Sequence, residues 1–320
     1  MKKGLLLVNL GTPLSPKPKD VFNYLIEFLT DGRVIDFPWL KRNLLVRGII
    51  VPFRYKESAK NYESIWTEKG SPLMVNTELL KAKVQAALPD VQVEMAMRYQ
   101  FPSLEEGLEK LKGVHTLTIL PLFPQYASAT VGSVHEKIMQ IVSKWNTIPD
   151  LKFISQYHDD PLFIEAFKEK GKAFSLDEYD SILFSFHGLP VRQVKKGCGT
   201  SCLSCDTGPY HCYGAQCYRS AKLIAESLGI SRYKVCFQSR LGKEVWMQPY
   251  ASDVIEEVAK QGAKKMLVFC PSFVSDCLET IQEIGNEYAH LFKEHGGEKL
   301  DLVPSLNDSD TFAKMICSKI

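Results

Sequence analysis

Hydrophobic runs and amphipathic stretches alternate along the whole chain. Continuous apolar runs are typical of strands buried on both faces of a parallel sheet, whereas a 3.6-residue period is typical of surface helices. The apolar runs predict strands at 3–10, 91–97, 115–122, 152–156, 181–186, 233–238, 265–270 and 299–303. The amphipathic stretches predict helices at 21–29, 103–111, 131–145, 161–173, 215–228, 251–260, 279–293 and 310–319.

This alternation predicts an α/β fold with two similar domains, each a parallel sheet of about four strands flanked by helices. Turn-forming residues at 146–150 mark the expected boundary. The N-terminal domain is therefore predicted at 1–148 and the C-terminal domain at 149–320. Asp20 is expected to cap the first helix, and Ser103 with Glu106 forms a capping box ahead of another.

Composition narrows the possible functions. The chain has 320 residues, of which 45% are hydrophobic and 24% charged, and its formal net charge is +2. This near-neutral balance gives no reason to expect a nucleic-acid partner. No apolar run reaches the roughly 20 residues of a membrane span, and none near the start fits a signal peptide, so we expect a cytoplasmic protein.

The segment 39–54 qualifies that expectation. It mixes apolar residues with Lys41, Arg42, Arg47 and Arg54. Such a segment is expected either to lie on a membrane surface, as a peripheral contact, or to cover an edge of the core as an ordinary helix.

Polar side chains follow several predicted strands, where ligands of open α/β sheets bind. His187 comes directly after the strand at 181–186 and before Gly188, so a turn presents its imidazole at the sheet edge. A histidine there can bind a metal or accept a proton near neutral pH, or it can be satisfied by backbone hydrogen bonds.

Three acids, Glu279, Glu283 and Glu287, recur every four residues and so share one helix face. Glu279 lies at the predicted start of that helix, where the helix dipole favours an acid. The acidic face is expected either to be solvated or to pass cations inward.

Six motifs occur in order along nearly the whole chain, and together they resemble the ferrochelatase family. They are Leu-Val-Asn-Leu-Gly-Thr-Pro at 7–13, Met-Arg-Tyr at 97–99, Phe-Pro-Gln-Tyr-Ala-Ser-Ala-Thr-Val-Gly-Ser at 123–133, Ser-Phe-His-Gly-Leu-Pro at 185–190, Gln-Ser-Arg-Leu-Gly at 238–242 and Ser-Asp-Cys-Leu-Glu-Thr at 275–280. The resemblance implies two Rossmann-like domains without a nucleotide. It also implies insertion of Fe²⁺ into protoporphyrin IX as the last step of haem synthesis, with coproporphyrin III as the alternative macrocycle.

The resemblance implies roles for individual residues. His187 is the metal-site and proton-abstracting residue, and Glu279 faces it across the macrocycle. Both are expected to contact the substrate iron. The residues implied to line the porphyrin cleft are Leu10, Thr12, Arg98, Tyr99, Tyr126, Ser133 and Trp246. The segment 39–53 corresponds to a hydrophobic lip over the mouth of the cleft.

A cysteine-rich insert occupies 197–217. Its cysteines have the spacing Cys198-x3-Cys202-x2-Cys205-x6-Cys212-x4-Cys217. In a reducing compartment such a density is typical of a bound metal or cluster rather than of disulfides. Some members of the resembled family carry a [2Fe–2S] cluster, which implies Cys198, Cys202, Cys205 and Cys212 as ligands, with Cys217 as the alternative fourth. Tetrahedral zinc on the same thiolates is the competing interpretation.

Two other functions remain open at this level. One is a related chelatase that uses cobalt or a different tetrapyrrole. The other is a non-catalytic iron–sulfur protein that senses haem or iron, although the presence of both His187 and Glu279 argues against it. The sequence does not indicate the oligomeric state.

Overall fold

The computed structural model describes residues 1–198 and 212–320, apart from the side chain of Cys198. The chain divides into two compact units. The first consists of Met1–Gln156 and Ala313–Ile320, and the second of Tyr157–Phe312.

The first unit contains a parallel sheet in the order β2-β1-β3-β4. Its strands are β1 (Lys3–Gly11), β2 (Val91–Tyr99), β3 (Thr116–Pro121) and β4 (Asp150–Phe153). The apolar run of the central strand β1 is completely buried from Leu5 to Val8. This is the pattern expected for a strand covered on both faces.

The second unit contains a parallel sheet in the order β6-β5-β7-β8. Its strands are β5 (Ser181–His187), β6 (Lys234–Gln238), β7 (Lys265–Phe269) and β8 (Lys299–Leu302). The strand order within this sheet repeats that of the first. The predicted fold, two similar domains with parallel four-stranded sheets, is confirmed.

Helices flank both sheets. Those of the N-terminal part are α1 (Pro18–Leu29), α2 (Trp39–Leu45), α3 (Val51–Ile65), α4 (Pro72–Ala87), α5 (Leu104–Lys110) and α6 (Ser133–Val142). The helices that follow are α7 (Pro161–Gly171), α8 (Val191–Cys198), α9 (Tyr213–Leu228), α10 (Ala251–Lys260), α11 (Ala289–Glu294) and α12 (Asp310–Cys317). Three further segments have the wider π-helical winding: Val46–Ile50, Ser128–Gly132 and Leu278–Tyr288.

Each unit has its own core. In the first, side chains of α5 and α6 pack on the sheet around Leu6, Leu108 and Ile138. In the second, α10 and α11 pack on the sheet around Ile255, Met266 and Phe292.

The division of the chain differs from the sequence-based boundary at 148/149. Strand β4 was assigned to the second domain, but it pairs with β3 and so belongs to the first sheet. The chain therefore passes into the second unit only after Gln156, and its last residues, 313–320, return to the first.

Of the two predicted helix caps, the structure contains one. The capping box of Ser103 and Glu106 is present. The prediction that Asp20 caps the first helix was wrong, because Pro18 starts the helix earlier and places Asp20 inside the first turn. Proline suits that position since its missing N–H would have no helical partner there.

Candidate functional site

His187 is the last residue of β5, and its imidazole is held in one orientation. Nδ1 lies 2.6 Å from the carbonyl oxygen of Gly188. Because a carbonyl can only accept, Nδ1 carries the proton in this contact, and the lone pair of a neutral ring is left on Nε2. The side chain is therefore arranged to accept a proton or bind a cation through Nε2.

Two aromatic rings flank this imidazole. The ring centroids of Trp246 and Phe273 each lie 6.3 Å from that of His187. The indole Nε1 of Trp246 donates to the carbonyl of Leu241 at 3.0 Å. This hydrogen bond fixes the indole, so the predicted residues His187 and Trp246 share one partly apolar surface.

Glu279 lies in the first turn of the π-helical segment Leu278–Tyr288 and is half-buried. Its backbone carbonyl accepts a hydrogen bond from Nε2 of Gln238 at 2.9 Å, which ties this turn to the end of β6. Burial raises the pKa of the neighbouring Cys277 thiol, and the charge of Glu279 adds to that effect. π-Helical segments are frequent at functional sites.

The other acids of this segment are engaged differently. Glu283 is half-buried and its carboxylate accepts hydrogen bonds from Gln238, Ser239 and Tyr288. Glu287 is exposed. The acids of this helix face therefore differ in environment. Glu287 is in solvent, whereas the carboxylate of Glu283 is bound by donors of the protein.

In the first unit, three predicted residues converge on a carboxylate that the sequence did not single out. Asp31 accepts from Nη2 of Arg98 at 2.6 Å, from the hydroxyl of Tyr99 at 2.9 Å and from Oγ of Ser133 at 2.5 Å. Asp31 follows α1 without any distinctive motif, so no sequence signal marked it.

The electrostatics of this cluster favour the ionised acid. Burial alone would raise the pKa of Asp31, but the hydrogen bonds from Ser133 and the backbone of Arg33, together with the charge of Arg98, lower it below the usual value. Burial and the negative charge of Asp31 raise the pKa of Tyr99, which stays protonated and donates. Tyr99 and Ser133 are fully buried, so they lie beneath the surface of the site and hold the carboxylate of Asp31 in place.

A polar cavity of about 520 Å³ adjoins this cluster. The residues lining it are Asp31, Gly32, Arg33, Arg42, Arg98, Glu136, Lys137 and Gln140. Most of its charged side chains are already paired within the unit, including Arg33 with Glu136 and Lys137 with Glu105.

The remaining predicted residues of the first unit lie at the end of β1 or on the loops that follow strands. Thr12 is buried and its hydroxyl donates to Oγ of Ser71 at 3.0 Å, whereas Leu10 and Tyr126 are partly exposed. Gly11 ends β1, and only glycine fits there because its φ is +117° and a β-carbon would lie 2.0 Å from the carbonyl oxygen of Tyr99.

The predicted cysteine set falls mostly outside the described residues. This applies to Cys202, Cys205 and the side chain of Cys198. Cys212 and Cys217 are buried at the start of α9 and are not joined to each other by a disulfide. Within 1–198 and 212–320, no group of three or more His, Cys, Asp or Glu side chains is arranged to hold a metal ion.

Two residues near His187 were also missed. Tyr213 donates to the carbonyl of His187, and Ser272 accepts from its amide. Tyr213 precedes Cys217 by four residues, and no sequence pattern marked it as part of the site. Among the helices that the structure describes, none is long and apolar enough to span a bilayer.

Comparison with known proteins gives a consistent result. A family model for ferrochelatase matches residues 2–320. A ferrochelatase from Legionella pneumophila (strain Corby) is 44% identical, covering 99% of this chain and 98% of its own length. One from Pseudomonas syringae pv. tomato is 43% identical, with 97% and 95% covered.

Solved structures agree at the level of fold. SirB from Bacillus subtilis, determined with Fe³⁺, superimposes with a TM-score of 0.55 at 13% identity, covering 99% of this chain and 94% of its own. CbiX, described as the terminal enzyme of sirohaem biosynthesis in denitrifying bacteria, gives 0.51 at 12% identity, covering 99% and 97%.

Proposed function

This chain belongs to the ferrochelatase family, and from that premise we propose that its macrocyclic substrate is protoporphyrin IX. Family membership makes it a metal-insertion enzyme of haem synthesis whose substrates are a porphyrin and ferrous iron. Coproporphyrin III is the alternative macrocycle. Enzymes of this class must remove two pyrrole protons as the metal enters the ring.

The observation that carries the proposed mechanism is the hydrogen bond from Nδ1 of His187 to the carbonyl of Gly188. It presents the Nε2 lone pair beside the rings of Trp246 and Phe273. A planar apolar macrocycle fits against such rings, and its pyrrole N–H groups would then face Nε2. We therefore assign His187 the removal of a pyrrole proton.

We assign Glu279 to the opposite side of the macrocycle, as a carboxylate for the incoming iron. Fe²⁺ accepts imidazole and carboxylate ligands, so both side chains have suitable chemistry. The hydrogen bond from Gln238 to the carbonyl of Glu279 supports this role, because it anchors the π-helical turn to the end of β6. We further propose that Leu10, Thr12, Arg98, Tyr99, Tyr126 and Ser133 belong to the porphyrin site of the first unit. Tyr99 and Ser133 would support it from the buried side, and Asp31 fixes these two and Arg98.

The cysteine-rich insert is proposed to hold a [2Fe–2S] cluster on Cys198, Cys202, Cys205 and Cys212, with Cys217 as the alternative fourth ligand and zinc as the competing metal. Four thiolates are a suitable donor set for either. Two members of this set support it, since Cys212 and Cys217 form no disulfide and are close enough for their sulfurs to interact electrostatically. A cluster would supply structural cross-linking or sensing, because iron insertion transfers no electrons.

We also propose a cytoplasmic enzyme that touches the membrane surface through residues 39–54. Trp39 is 68% exposed and Phe53 is 81% exposed, while Val46 and Val51 of the same segment are buried against α1. An apolar outward face interspersed with basic residues is the pattern of an interfacial segment.

The direct test is anaerobic incubation with Fe²⁺ and either protoporphyrin IX or coproporphyrin III, following the porphyrin and haem spectra. We expect haem formation well above the protein-free rate, and a higher kcat/KM with protoporphyrin IX. A preference for coproporphyrin III would replace our choice of macrocycle. Tight binding of both porphyrins without metallation would favour a sensing protein instead.

A further inference from the structure

His187 lies opposite Gln238 of β6, but its own N–H and C=O groups are both hydrogen-bonded to side chains. Its amide donates to Oγ of Ser272 at 3.1 Å, and its carbonyl accepts from the hydroxyl of Tyr213 at 2.7 Å. Ser272 and Tyr213 are also hydrogen-bonded to each other. Together the three residues form a closed ring of hydrogen bonds around one catalytic position.

The sheet explains why this ring is needed. The register between β5 and β7 ends with Phe184 opposite Phe269, so β7 offers no paired residue opposite His187. Main-chain N–H and C=O groups removed from water need partners. Ser272 and Tyr213 supply them for the last residue of β5, the residue that carries the imidazole.

The directions of the hydrogen bonds follow from the chemistry of the groups. Burial raises the pKa of the Tyr213 hydroxyl well above its ordinary value, so the hydroxyl stays protonated and donates a hydrogen bond to the carbonyl of His187. It can then accept from Ser272, whose oxygen in turn accepts from the amide of His187. The same hydroxyl is in hydrogen-bond contact with Cys217.

Resting on the function proposed above, we propose that Tyr213 is a positioning residue for His187. Its hydroxyl fixes the peptide group that leads into Gly188, whose carbonyl sets the tautomer of the imidazole. Through the same hydroxyl, α9, which follows the cysteine-rich segment, contacts the backbone of His187.

The chain offers a matched pair of substitutions. Tyr213→Phe removes the hydroxyl and keeps the ring. Tyr157→Phe makes the same change at a tyrosine of the same unit that is equally enclosed, and whose hydroxyl has no hydrogen-bond partner among the described residues. Comparing the two separates loss of this particular hydrogen bond from loss of a buried hydroxyl in general.

We expect Tyr213→Phe to lower kcat by roughly 10- to 100-fold, as for a displaced catalytic group, with the porphyrin KM changed less than about twofold. Tyr157→Phe should retain wild-type kcat. Equal kcat values for the two variants would overturn the proposal, as would a Tyr213→Phe defect confined to KM.

A second readout does not depend on turnover. NMR of the imidazole nitrogens, assigned with His187→Ala, should show one tautomer protonated at Nδ1 in the wild type and a mixture in Tyr213→Phe. An unchanged His187 signal would overturn the positioning role. If the wild type itself forms no haem, the proposed function fails, and the NMR comparison still decides whether Tyr213 orders His187.

Discussion

The carboxylate of Glu283 accepts hydrogen bonds from both the amide and the hydroxyl of Ser239, at 2.8 and 2.5 Å. Ser239 has a φ of 66°, a left-handed conformation that is uncommon outside glycine. Gln238 and Tyr288 donate to the same carboxylate. Glu283 therefore stabilises the strained turn after β6, and its oxygens are occupied by protein donors rather than presented to a passing cation.

Replacing Glu283 with Ala should consequently destabilise the protein. It leaves several half-buried donors without an acceptor and removes the support for Ser239, so we expect a loss of about 2–3 kcal/mol in the free energy of unfolding. Denaturant titration measures it. Glu287→Ala, on the exposed part of the same segment, should change stability by less than about 0.5 kcal/mol. Equal stability of the two variants would contradict the structural role of Glu283.

His187→Ala tests the catalytic assignment. Removing a general base typically costs about 10²- to 10⁴-fold in rate, so we expect metallation to fall at least about a hundredfold. The far-ultraviolet circular dichroism should stay unchanged, because the ring lies at a strand end, and porphyrin fluorescence quenching should still report binding. His290→Ala, on the exposed surface of the same unit, serves as the control. Near-normal turnover of His187→Ala would remove His187 from the mechanism.

The stability of the first unit should depend on pH through His135. Burial lowers the pKa of this histidine from 6.5 to about 4, and its ring packs on Phe153. Between these pH values the unfolded chain binds a proton that the folded protein does not. The contribution of His135 is thus fully present above pH 6.5 and is lost as the pH falls towards 4.

We therefore expect the thermal midpoint to fall between pH 7 and pH 4.5, and to fall less steeply in His135→Gln. Burial also lowers the pKa of His158, so part of the slope should remain in that variant. An identical slope in His135→Gln and the wild type would show that His135 is not the group responsible.

The strands were predictable because a short continuous apolar run such as Leu5–Val8 is typical of a strand that is buried on both faces. The π-helical winding at Leu278–Tyr288 was not, since a pattern repeating every four residues fits both windings. The start of α1 was predicted wrongly because Pro18, and not Asp20, determines where this helix begins.

The residues of the candidate site were likewise predictable only in part. His187 and Trp246 were identified by motif, and they do share a surface. Asp31 and Tyr213 were not, because their importance comes from hydrogen bonds to residues 67 and 26 positions away, and such pairing leaves no local pattern.

The cysteine-rich insert makes a spectroscopic prediction. If Cys202 is a cluster ligand, Cys202→Ser should bleach the visible absorption of anaerobically purified protein, because serine is a poor substitute for a thiolate ligand of iron. Cys317→Ala, at a half-buried cysteine outside the insert, should leave the spectrum unchanged. A coloured Cys202→Ser protein would exclude Cys202 from the ligand set, and a colourless wild type with one bound zinc would favour the zinc site.

The exposed face of residues 39–54 predicts a measurable affinity for lipid. Co-sedimentation with vesicles of phosphatidylcholine and phosphatidylglycerol should retain the wild type, and Phe53→Ser should reduce binding because it removes a large side chain that is mostly in solvent. Ile148→Ser provides the control, since Ile148 is an exposed apolar residue of the same unit outside this segment. Binding should also weaken at high salt if Lys41, Arg47 and Arg54 contact the anionic headgroups. Equal binding of the two serine variants would indicate that the segment only covers the core beneath it, where Val46 and Val51 are buried.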